Sequence, residues 1–124
     1  MNTKLLNAAS TMSGLTFLAH IFIGGPKNAT PIFSIENLPN DPKWTVYFSW
    51  HSASVLLLFM ALGYAWAAYS GEGKSLVVFL TALSATLCVV AGITAYFGGI
   101  QIWNFPPSML FAVITVLGGL AVVK

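Results

Sequence analysis

Charge is what this chain has least of. Only 6% of its 124 residues are Asp, Glu, Lys or Arg, and none is arginine, whereas a soluble domain carries roughly 25%. So small a polar supply cannot cover a water-facing surface, which excludes an ordinary soluble domain. Five lysines against three acids leave a net charge of +2. No lysine run forms a basic patch, so nothing points to nucleic acid or to capture of anionic lipid. The single cysteine, Cys88, cannot close an intrachain disulfide and reads as a packing thiol in an apolar run. The apolar runs also lack Asp, Glu, Lys and Arg away from their ends. That argues against proton-coupled pumps and ion transporters, which hold ionisable groups at mid-membrane. Phosphate loops, dinucleotide fingerprints and cysteine pairs are missing as well.

Apolar residues make up 57% of the chain, and the mean hydropathy is +0.83. They fall into four runs, Leu5–Gly24, Val46–Tyr69, Ser75–Phe97 and Pro107–Val123. A membrane-crossing helix needs about 20 apolar residues, and the first three runs meet this comfortably. The expected fold is all-α: an integral membrane four-helix bundle, one transmembrane domain over residues 1–124. The first run is longer than the ~7–15 residues of a signal-peptide core, and Asn7, Ser10, Ser13, Thr16 and His20 interrupt it. It reads as a retained helix. Small and hydroxylated residues recur at helical spacing: Ala9, Ser13, Thr16 and His20; Ser84, Cys88 and Gly92; Ser108, Thr115, Gly118 and Gly119. In lipid such stripes are bundle seams, where backbones approach closely.

Between the first two runs, residues 25–45 read as a long loop with four prolines and the apolar residues Ile32, Phe33, Ile35 and Leu38. Prolines stiffen it and the apolar groups give it something to bury, so it is expected to be an ordered periplasmic cap. Lys4, Lys74 and Lys124 share one side of the membrane, and Lys27 and Lys43 the other. This bias favours both termini in the cytoplasm.

The chain has two histidines, His20 in "FLAHIFIGG" and His51 in "YFSWHSAS". His20 lies roughly 6 Å before the end of the first run and His51 roughly 7–8 Å into the second. A hairpin therefore sets both at one depth, with Tyr47 and Trp50 beside His51. One reading is structural, each imidazole tying helix ends together through a carbonyl, Tyr or Ser. A second is a metal or cofactor site at His20 and His51, for copper, zinc or a b-type haem, since neutral imidazole is the commonest metal ligand. A zinc site wants three or four protein ligands, and no third is evident. A bis-histidine haem needs a wider gap than the 8–10 Å between packed helices. A third reading makes a histidine the donor to a lipid or quinone headgroup. No nucleophile–base–acid set is present, so an enzyme is the weakest inference.

The segments "AHIFIGGP" (19–26), "PIFSIENLP" (31–39) and "YFSWHSAS" (47–54) resemble a family of small bacterial four-helix membrane proteins. These share a His–Gly-Gly end to helix 1 and an aromatic–Trp-His start to helix 2. The resemblance covers the first half of the chain and marks His20, Gly24, Gly25, Trp50 and His51 as motif positions. It implies a multi-pass protein of the bacterial inner membrane and supplies no activity. The expected function is an accessory subunit or small-molecule-binding module of a larger membrane complex. Its partners would be the lipid bilayer, other membrane subunits or further copies of itself.

Overall fold

The computed structural model describes residues 1–123, and Lys124, one of the lysines in the orientation argument, lies outside them. Four membrane-length helical units follow one another up and down. Helix α1 (Thr3–Ala19) continues without a break into a π-helix (His20–Ala29) and a 3-10 turn (Thr30–Ser34). Helices α2 (Asn40–Ser70), α3 (Lys74–Phe97) and α4 (Pro106–Val123) complete the set. All four units are long and apolar enough to cross a membrane. The chain is an all-α four-helix bundle, as its hydropathy implies, with α1 packed on α2 and α4, and α3 packed on α4 and α2.

The segment expected as a loop is largely helical. Only Ile35–Pro39 joins the first two helical units. Gly24-Gly25-Pro26 reads as a stop because proline clashes with the preceding turn of an α-helix and donates no hydrogen bond. Within a membrane, wider π turns absorb such breakers and re-satisfy the backbone, and Pro26 sits inside the π-helix here. Pro42 falls in the first turn of α2, where a missing N–H costs nothing, and Asp41 beside it suits the positive end of the helix. The α2–α3 turn is glycine-built. Gly71 (φ 70°) and Gly73 (φ 81°) adopt left-handed conformations, and a Cβ at Gly73 would strike the Trp66 ring at 2.5 Å.

The core is lined by Leu6, Ala9, Met60, Tyr64, Val77 and Ile114, all at most 1% exposed. The predicted seams face inward: Ala9, Ser13, Thr16, Ser84, Ser108 and Gly118 are buried. Without a hydrophobic drive between helices in lipid, packing and interhelical hydrogen bonds hold the bundle. Each neighbouring pair of helical units has such a bond. Ser10 Oγ donates to the Ala61 carbonyl (2.9 Å), and Ser84 Oγ to that of Phe111 (3.0 Å). Cys88 Sγ donates to the Ser108 carbonyl (3.3 Å), the packing role its position suggests. Tyr64 and Thr81 join their hydroxyls (3.2 Å), and the Asn2 N–H reaches the Ala121 carbonyl (2.9 Å). Helix α2 is about 46 Å long and α4 about 27 Å, so the α1–α2 hairpin projects at the end opposite the termini. A core of ~30 Å takes about 20 residues; counted from Leu5, Tyr69 and Ser75, its far boundary falls near Gly25, Ser49 and Ala95.

Candidate functional site

The histidine end of the bundle is built around the first turns of α2. His20 opens the π-helix and turns toward α2, where its Nε2 lies 3.1 Å from the Trp50 carbonyl. A carbonyl only accepts, so Nε2 carries the proton. The same carbonyl accepts Ser54 Oγ at 3.2 Å. The Trp50 indole lies flat on the His20 ring, with centroids 4.0 Å apart and planes at 12°. Gly24 makes room for it, because a Cβ there would approach Trp50 Cζ2 to 2.9 Å. His20, Trp50 and Gly24 thus form one clasp between the first two helical units.

His51 belongs to a different group. Its ring meets that of Tyr47 at 4.4 Å, nearly edge-on. Tyr47 in turn packs edge-on against Phe33 (5.4 Å) and Trp44 (5.8 Å), and those two against each other (5.2 Å). Phe33, from the 3-10 turn, therefore folds down onto the start of α2. The two histidines share a depth, as His20's bond to residue 50 requires. They do not share a face: adjacent residues on a helix point ~100° apart, so Trp50 turns inward to His20 while His51 is exposed on the outside of α2.

The four residues singled out in the sequence thus form two pairs, His20 with Trp50 and His51 with Tyr47. A haem, or a copper or zinc ion, held by both imidazoles would have to take His20 through Nδ1, because its Nε2 holds the Trp50 carbonyl, and would need His51 to turn inward from its exposed position. Among the described residues no three His, Cys, Asp or Glu side chains gather as a metal-binding group. Glu36 and Asp41 are exposed.

Deeper in the bundle the polar groups are occupied. Ser13 and Thr16 donate to the carbonyls of Ala9 and Met12, both at 2.8 Å. Among the described residues, Ser108 Oγ is the one buried side-chain oxygen or nitrogen without a partner. The Tyr64–Thr81 pair is a polar contact that spacing did not reveal. It lies against Gly118 of α4, where a Cβ would come within 2.7 Å of the Tyr64 hydroxyl. The signal available in the sequence was a lone Tyr and a lone Thr in separate apolar runs, each bland by itself.

Shallow, open depressions lie on the outer surface. One lies between α3 and α4, against Thr81, Ala85 and Gly119. Another lies on the outer face of α2, against Phe48, His51, Ser52 and Val55. Comparison with known proteins gives no match: neither a protein family, nor a curated protein, nor a solved structure is similar enough to lend this chain a function.

Proposed function

We propose that this protein is a non-enzymatic accessory subunit of a larger membrane assembly, acting through its outer surface within the bilayer. The observation that supports this is the division between the inside and outside of the bundle. Inward-facing hydroxyls are spent on backbone carbonyls, those of Ser13 and Thr16 within α1 and that of Ser84 across to α4. The groups with chemistry to offer, His51 with Trp44, Phe48 and Trp103, are exposed near one membrane boundary. Trp103, Trp44 and Phe48 are 66%, 58% and 71% exposed, as aromatic belts and helix-packing surfaces both require. We place the protein in a bacterial inner membrane with both termini cytoplasmic, on the resemblance of its motifs and on the lysine bias. The histidine end is then periplasmic.

Isolation of the tagged full chain from its native membranes, in a mild detergent, tests the proposal. The expected result is a stoichiometric membrane-protein partner that stays bound through size exclusion. A monodisperse protein, stable alone and without a partner, would count decisively against it.

A further inference from the structure

We infer that the His20–Trp50 clasp is a latch. It holds residues 21–34 as a helical strap, and its release opens that strap beyond Gly25 and frees Phe33 from the aromatic group beside His51. The inference concerns an equilibrium within the chain and does not rest on the accessory-subunit reading.

The strap is built of residues that do not hold a helix by themselves. Glycine and proline are the poorest helix formers, and Gly24, Gly25 and Pro26 stand together inside the π-helix His20–Ala29. Up to the boundary near Gly25 the hydrocarbon layer enforces helix, because no water is there to take a backbone group. Past it, water and headgroups can take those groups, and the bilayer no longer requires the helix to go on. Pro26, Lys27, Asn28, Thr30 and Pro31 are exposed, and Ala29 is the buried residue of this run.

The contacts that hold the strap lie at its two ends. At the base, the Trp50 ring lies against Gly24, its Nε1 would stand 3.8 Å from a Cβ at Gly25, and the Trp50 carbonyl takes the His20 Nε2 proton at 3.1 Å. At the tip, Phe33 packs edge-on against Trp44 (5.2 Å) and Tyr47 (5.4 Å). The two ends are tied together through the Gly25 carbonyl, which accepts both the N–H and the hydroxyl of Thr30. The position of Gly25 therefore sets that of Thr30 and Phe33. Without the indole, the two glycines are free to leave helical φ/ψ, and Pro26 has no N–H with which to re-form the turn. The segment thus has two arrangements, the continuous helix and the Gly-Gly-Pro stop that these residues favour in water. In the second, Tyr47 keeps His51 at 4.4 Å on its own helix but loses Phe33. A contact between the first two helical units thereby sets what covers the aromatic group on the outside of α2.

Hydrogen–deuterium exchange of the full chain in nanodiscs, read by mass spectrometry on peptides from residues 27–34 and from α3, tests the latch. Residues 27–34 are expected to exchange slowly in the unaltered protein. Trp50→Ala should speed exchange there about tenfold, as the loss of an aromatic pair allows, and leave α3 unchanged. His20→Phe, which keeps a ring against Trp50 and removes the hydrogen bond, should give a smaller rise of about threefold. Adding Pro26→Ala to Trp50→Ala restores an N–H and a good helix former, and should return 27–34 to slow exchange. Fast exchange at 27–34 in the unaltered protein, or no change in Trp50→Ala, would overturn the inference. So would an equal rise in α3 in both clasp variants, which is general loosening of the bundle, or exchange that stays fast after Pro26→Ala.

Discussion

The Trp50 indole lies on the His20 imidazole with ring centroids 4.0 Å apart and planes at 12°, and Gly24 is what lets it lie there. The stack, the Nε2–carbonyl bond and the glycine are one unit, because the indole occupies the volume a side chain at position 24 would fill. This joins a short sequence motif to the packing of the first two helical units.

Gly24→Ala is therefore expected to destabilise the bundle by about 1–3 kcal/mol, the cost of overpacking. The cost should largely vanish in a Trp50→Ala background, since the clash is with that ring. Reversible unfolding in mixed micelles, run as a double-mutant cycle, measures both. Equal costs in the two backgrounds would mean the glycine serves something other than the indole.

His20→Phe keeps an aromatic ring against Trp50 but removes the hydrogen bond, whereas His20→Ala removes both. The first should cost about 0.6 kcal/mol, a typical interhelical hydrogen bond in a membrane. The second should cost more, by the about 0.5–1.5 kcal/mol of an aromatic pair. The same unfolding assay separates them.

Across the bundle, Gly118→Ala should be among the most damaging single-methyl additions. Its Cβ would meet Thr81 Oγ1 and the Tyr64 hydroxyl together, and these are held by the bond between them and by the burial of Tyr64. A loss of about 1–3 kcal/mol is expected. Tyr64→Phe in the same chain should recover part of it by removing one of the two clashing oxygens.

Protease sensitivity should follow the helical continuation past Gly25. Lys27 lies within the π-helix and Lys43 within the first turns of α2, so trypsin should cut both slowly in the folded protein. An endoprotease specific for glutamate should cut faster at Glu36, in the short Ile35–Pro39 connection. Rapid cleavage at Lys27 would mean the segment is open chain.

The four spans were legible because hydropathy over about 20 residues is a property of composition, and the inward stripes because 3.6-residue spacing places Ser13 and Thr16 on one face. The π-helix was not. Gly-Gly-Pro punctuates a chain in water, and its tolerance depends on a membrane and on the ring of Trp50, which lies far along the chain in the next helix. Depth could be counted for both histidines, but their directions could not. Whether residue 51 faces in or out follows from which neighbour takes the inward position, and Trp50 takes it. The Tyr64–Thr81 pair was hidden for a similar reason, since spacing within one helix does not say which residues two helices bring together.

The central claim is that His20 is half-buried and bonded to the neighbouring helix while His51 is open at the outer face of α2. Carbethoxylation of the folded full chain in nanodiscs, followed by mass spectrometry at each histidine, measures this directly. His51 should react at least about tenfold faster, a difference of about 1.4 kcal/mol in accessibility, because His20 has its Nε2 bonded and one face under the indole. Equal rates, or faster reaction at His20, would contradict the account.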